Sequence, residues 1–235
     1  MPYPRILWSL LLMPWVFPCI GVAAQQDPPT VAQVKKAGEK SESLSFDINY
    51  VFRSGGKGEL KTITNGAVLR SGDHYKAIFI PDKQCHVYIF QADSSNQIFQ
   101  LFPMKTFNGI SLNNVNPVEK DKTHIIPSPD KAFVLDNRVG TERIYFIASP
   151  ERNQELEALY KALKHEVKHK NTAQIEANRN KLDRYFKRRG MSAVTPSDKT
   201  LKIPWNNGPD AFTVIGQRLE NFCEGCVHIL EFHHQ

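Results

Sequence analysis

The chain has 235 residues, with 30 Lys or Arg against 24 Asp or Glu, a net charge of +6, and 41% hydrophobic residues. That length and apolar content support one substantial core and exclude a largely disordered chain. The small basic excess stands beside no compact recognition motif, so nucleic acid is excluded as the expected target; only weak contact with anionic surfaces is favoured.

Residues 1–24 read as a cleavable secretory signal. Arg5 supplies the basic start, and Ile6, Leu7, Trp8 and the run from Leu10 to Met13 form the apolar stretch, prolonged past Pro14 by Trp15, Val16 and Phe17. Val22-Ala23-Ala24 then places small residues before a cut at Gln25. An uncleaved anchor would need roughly 20 unbroken apolar residues, and Pro14 and Pro18 interrupt this stretch. Pro18 also makes a poor lipoprotein cut before Cys19. Removing 24 of 235 residues leaves 211, and the loss of Arg5 lowers the charge to +5. The expected mature protein is bacterial, periplasmic or secreted, without a transmembrane segment. Residues 25–43, rich in Gln, Pro, Lys and Glu, read as a flexible leader.

From Leu44 the pattern changes. Leu44, Phe46, Ile48, Tyr50 and Phe52 alternate with Ser45, Asp47, Asn49 and Val51, which predicts a half-buried strand. The glycine-rich run at 53–58 is a turn. Short strands are predicted at 67–70, 74–80, 85–91, 97–102, 123–126, 132–135 and 143–148, separated by turn chemistry such as Ser71-Gly72-Asp73. Tyr88 and Phe90 face opposite Val87 and Ile89, so that strand should be covered on both sides. After Ser149-Pro150, Leu156, Leu159, Tyr160, Leu163 and Val167 recur at helical spacing. A second helix is predicted from Thr172 to about Arg189, burying Ile175, Leu182 and Phe186, with Gly190 as its stop. Strands return at 200–203, 212–215 and 227–233. The expected fold is mainly β (α+β): an antiparallel β-sandwich over 44–235 with an inserted two-helix hairpin at 151–190. The pattern leaves open whether that hairpin packs on the sheet or mediates binding.

Three motifs suggest chemistry. His165-Glu166-Val167-Lys168-His169 fits the H-E-x-x-H pattern, in which two histidines one turn apart hold zinc and the glutamate activates water. At about 100° per residue both histidines fall on the side away from the apolar stripe. Lys164, Lys168 and Lys170 add positive charge around them, and no third ligand follows at the usual spacing. The segment therefore reads as a solvated helix face, and no metal or cofactor is expected. Cys223 and Cys226 suit a local disulfide, with Gly225 easing the loop, and precede a strand rather than opening a helix as a redox pair would. A bridge from Cys85 to either one is the competing connectivity. His228 and His234 are too far apart along one strand to share a metal. The third feature is charge: residues 161–189 hold ten Lys or Arg and three acids, either a solvated face or a weak anionic-surface contact.

The motifs from Gly66 through Lys76, Cys85 through Ser95, Leu101-Phe102-Pro103, Ile126-Pro127 and Gly140 through Ser149 resemble the bacterial domain-of-unknown-function 4384 family over about residues 66–149. The resemblance implies a small β-sandwich module of exported proteins, or one attached to kinase-like and protease-like domains. It implies an accessory or interaction role and supplies no catalytic residue. Combined with the residue patterns, it leads us to expect a non-catalytic envelope module binding a protein or an envelope polymer. The alternatives are a zinc-dependent hydrolase using His165, Glu166 and His169, and a thiol-disulfide protein using Cys223 and Cys226.

Overall fold

The computed structural model describes residues 43–205, 211–224 and 226–235. The expected signal peptide, the leader up to residue 42, and Gly225 lie outside the described residues. In chain order the strands are β1 (Leu44–Arg53), β2 (Leu60–Thr62), β3 (Val68–Leu69), β4 (His74–Pro81), β5 (His86–Ala92) and β6 (Ile98–Phe102). They continue as β7 (Met104–Phe107), β8 (Ile110–Asn114), β9 (His124–Ile126), β10 (Phe133–Val134) and β11 (Gly140–Ser149). Helices α1 (Gln154–His169) and α2 (Thr172–Lys187) follow, then β12 (Thr195–Pro204), β13 (Ala211–Phe222) and β14 (Val227–His234).

The strands form two facing sheets. The first runs β10-β4-β1-β13-β12, with β2 against β1 and β9 against β4; the second runs β3-β14-β11-β5-β6. All ladders are antiparallel except β14 with β3. Alternation sends one row of side chains from each sheet inward. Phe46, Phe79 and Phe222 of the first sheet meet Phe146 of the second at 5.0, 5.6 and 6.0 Å, all edge to face. This geometry sets the negative ring face of one side chain against the positive edge of the next.

The outer face of the second sheet is also apolar, as the sequence of β5 predicts. Tyr88, Phe90, Tyr145 and Ile147 pack there against Leu156, Leu163, Leu182 and Phe186 of the two helices. The hairpin is thus laid on the sheet. Asn153 fixes its entry: its side chain accepts the Leu156 N–H at 3.0 Å and donates to the Tyr185 hydroxyl at 2.6 Å. Lys170, in the left-handed region at φ 55°, ends α1, and Asn171 caps α2 one residue later.

Two expectations need correction. β1 is not half-buried: Asp47, Asn49 and Val51 are 1%, 0% and 0% exposed. The cause is the long β12–β13 hairpin, whose distal half folds over the outer face of the first sheet, so that Leu201, Ile203 and Trp205 cover Val51 and Ile78. The ladder is irregular between Pro196 and Thr200, and Gly216 sits where an added Cβ would meet the Lys199 carbonyl oxygen at 3.1 Å. A side chain at that position would obstruct the bend. The hairpin supplies partners to these buried polar groups: the Asn49 side-chain NH2 donates to the Ile215 carbonyl at 2.8 Å, although its Oδ1 has no hydrogen-bond partner, and Asp47 accepts from Lys199 at 2.8 Å and Ser197 at 3.0 Å. Second, Val167 is 55% exposed and Ile175 only half-buried, because the last turn of α1 overhangs residues 97–99 rather than the body of the sheet.

Candidate functional site

The second sheet ends at β6, and beyond it the chain turns into the separate β7–β8 hairpin. That hairpin turns at Asn108-Gly109, both with positive φ (47° and 77°), the favoured chemistry for a two-residue loop. Its own strands were not among the predicted elements, although Asn-Gly between Phe107 and Ile110 carried the signal. Because the hairpin leaves the sheet while α1 stays on it, a groove of about 1330 Å³ opens between them.

Each wall is anchored. On the α1 side the buried Tyr88 hydroxyl accepts the Asn153 N–H at 3.0 Å and donates to Glu157 at 2.9 Å, and Glu157 in turn takes the Arg152 Nε–H at 2.8 Å. Burial pushes the Tyr88 phenol up, which keeps it a donor, while the hydrogen bond from Arg152 holds the Glu157 carboxyl below its usual range. The Tyr160 hydroxyl accepts the Gln100 N–H at 3.0 Å and ties the helix to β6. On the hairpin side Asn116 imitates a strand partner of Val87, accepting its N–H at 3.0 Å and donating to its carbonyl at 2.8 Å. Asn114 donates to the Pro127 carbonyl at 2.6 Å.

The lining charges are unequal. Arg152, Lys105, Lys161 and Lys164 line the groove together with one carboxylate, Glu157, which Arg152 neutralises. Lys105, Lys161 and Lys164 are exposed and make no ion pair among the described residues. Lys164 lies over the Tyr160 ring at 5.9 Å. The arrangement can hold an anionic group between two anchored walls.

The structure places the other candidates as follows. His165 and His169 are exposed, their rings 4.2 Å apart; His165 Nδ1 faces Glu166 at 3.0 Å, and His169 Nδ1–H donates to the His165 carbonyl at 2.8 Å. One ring nitrogen of each is thus engaged locally. Among the described residues no three His, Cys, Asp or Glu side chains converge on one point. Cys223 and Cys226 form a disulfide, with Cα atoms 5.1 Å apart, closing the turn between β13 and β14. Cys85 is buried and free, its thiol pushed up to about 12 by burial, which decides the connectivity left open by the sequence. His228 and His234 lie at opposite ends of β14; His228 donates to the Ser192 carbonyl at 3.1 Å.

One cluster had no signal in the linear sequence. His234, buried on β14, places Nε2 at 3.0 Å from the exposed Ser71 hydroxyl and Nδ1 at 3.7 Å from Glu142, which the Gln91 amide holds at 2.8 Å. The order Ser–His–Glu imitates an acyl-transfer relay. However, 3.7 Å is beyond hydrogen-bond range. The amides of Ser71 and Gly72, which could have stabilised an oxyanion, are spent on the Gln235 and Leu135 carbonyls. The cluster leaves His234 Nδ1 buried without a hydrogen-bond partner, so the relay is incomplete at its carboxylate end.

The described residues form a two-sheet antiparallel sandwich with a helical hairpin on one face and a basic groove beside that hairpin, an architecture that by itself names no activity. Residues 68–152 match the model of the family described as Domain of unknown function (DUF4384), so the resemblance holds for this stretch. It spans β3 to β11 and ends just before α1, yet β1, β13 and β14, which complete both sheets, come from outside it. Comparisons with curated proteins and with solved structures gave no match. Among the described residues no helix is long and apolar enough to cross a membrane.

Proposed function

We propose that the protein is an exported, non-catalytic binding module of the bacterial cell envelope, and that the groove between α1 and the β7–β8 hairpin holds an extended anionic envelope polymer. The observation that carries this reading is the excess of unpaired lysines, Lys105, Lys161 and Lys164, on walls fixed by Tyr88, Asn116 and Tyr160. Cations on pre-positioned walls lose less freedom on binding than cations on a mobile surface. The apolar, small-residue start of the chain supports export, and a disulfide in the body suits an oxidising compartment.

The test is retention on an immobilised polyanion such as heparin, against neutral dextran. The native chain should be retained and elute with salt, because exposed charges are screened over about 10 Å at 0.1 M. Lys105→Glu with Lys161→Glu should abolish retention, whereas Lys61→Glu with Lys202→Glu, the same charge change on exposed positions elsewhere, should leave most of it. Equal loss in both doubles would show that net charge, not the groove, does the binding. Export is tested separately: the mature N-terminus recovered from the periplasm or medium should be Gln25.

A further inference from the structure

On the other side of Tyr160 and Lys164 lies a second recess, of about 440 Å³. It forms where the end of α1 and the start of α2 overhang β6. Ile98, Phe99, Leu163, Val167 and Ile175 line it, and Lys164, Lys168 and Arg179 also border it; no carboxylate does. Two of its apolar residues are left unusually open, Phe99 at 45% and Val167 at 55% exposed. Large exposed apolar side chains that share one concavity mark a surface that something covers. The size lies within the range of small-molecule sites, about 300–1000 Å³. Counting about 30 Å³ per heavy atom, as in liquid water, it has room for roughly fifteen heavy atoms, a chain of about a dozen carbons with its head group.

Chemistry narrows the occupant. Ile98, Phe99, Leu163, Val167 and Ile175 offer no hydrogen bonds to sugar hydroxyls or a peptide backbone, and their predominance over the polar Gln97 favours a hydrocarbon. Three cations without a carboxylate beside them favour an anion at its end, since charge-assisted hydrogen bonds to lysine or arginine are the strong ones. We propose that this recess binds a single-chain anionic amphiphile, its alkyl chain against Ile98, Phe99, Leu163, Val167 and Ile175 and its carboxylate or phosphate head at Lys164, Lys168 and Arg179. The proposal stands on these lining residues and does not depend on the ligand of the larger groove, although the two share Tyr160 and Lys164.

The test uses the chain from Gln25 onward and calorimetric titration, below micelle concentration, with octanoate, decanoate, dodecanoate, dodecyl phosphate, dodecanol and dodecyltrimethylammonium. Dodecanoate should bind one per chain, tightening about two- to fourfold for each added methylene along the series, up to the roughly fourfold of full burial. Dodecanoate should bind at least tenfold more tightly than dodecanol, and the ammonium should bind most weakly. Comparison of dodecanoate with dodecyl phosphate separates the two head groups. Val167→Asp and Phe99→Ser, at exposed positions that leave the fold intact by thermal melting, should each weaken dodecanoate at least tenfold. Lys168→Glu with Arg179→Glu should erase the preference for dodecanoate over dodecanol. The proposal is overturned by equal affinity for dodecanoate and dodecanol in the native chain, by no dependence on chain length, or by native binding in Val167→Asp. Binding of an acidic amphipathic peptide with no binding of dodecanoate also overturns it.

Discussion

Phe186 tests whether the helical hairpin belongs to the core. Its ring is 1% exposed, stacks on Tyr145 at 4.3 Å, and meets Phe90 at 5.6 Å and Tyr185 at 6.1 Å. Phe186→Ala removes a buried ring and leaves a cavity whose walls belong to both the sheet and α2, so collapse is restricted from two sides. Substitutions of this kind cost about 3–5 kcal/mol. In a domain of this size each kcal/mol lowers Tm by about 2–4 °C, so the melt should fall by roughly 10 °C. Two probes report on different layers. Helical circular dichroism follows the hairpin, and Trp205, buried over the outer face of the other sheet, is the one tryptophan after residue 24. If the three layers share one core, both signals shift together in the variant, as a two-state transition requires. A helical signal that melts early while Trp205 keeps its native midpoint, or a loss below about 1 kcal/mol, would refute this reading.

Other predictions concern the cysteines, the buried acid and the serine cluster. Replacing Cys223 and Cys226 together by alanine opens a four-residue loop and should cost about 2 kcal/mol in urea unfolding. A thiol reagent should find no reactive group in the native oxidised chain and one per chain from Gln25 onward, Cys85, after unfolding. At Asp47 burial alone would raise the carboxyl, but the Lys199 and Ser197 hydrogen bonds and the charges of Lys199 and Arg218 outweigh it and hold the folded pKa below 3.8. The unfolded chain therefore takes up this proton first on acidification. The stabilisation is complete above pH 3.8 and is lost as the pH falls through the lower folded value. Asp47→Asn should cost about 2 kcal/mol at neutral pH, and its gap to the native chain should narrow below pH 3.8; a constant gap would contradict the ionised reading. Ser71 should not be labelled by a fluorophosphonate, and labelling lost in His234→Asn would revive the relay.

Much of the scaffold was legible because β and helical periods are local. The alternation in β1, the doubly apolar β5 and the 3.6-residue stripe of α1 each mark an apolar face that calls for cover, though Val167 at the end of that stripe stays 55% exposed. The bridge between Cys223 and Cys226 was legible for the same reason: three residues of spacing bring two cysteines together without help from the rest of the chain. β7 and β8 were missed although Asn108-Gly109 announces a turn, because Thr106 and Asn114 stand where the alternation calls for an apolar residue and each strand is left with at most two apolar residues in register.

Tertiary structure decided what covers those faces and what gathers at their margins. Asp47, Asn49 and Lys76 look like the wet side of a strand until distant segments supply their partners: the β12–β13 hairpin reaches Asp47 and Asn49 from 150 or more residues away, and Lys76 donates to the Ser128, Pro129 and Pro204 carbonyls. The groove lysines and the apolar recess depend on the same kind of fact: Lys105 meets Lys161, and Phe99 meets Val167, only because α1 lies across the edge of the second sheet. Local periodicity fixes which face of each element is apolar, since that depends on backbone geometry alone. Which face meets which is set by packing between distant segments, and there the binding surfaces arise.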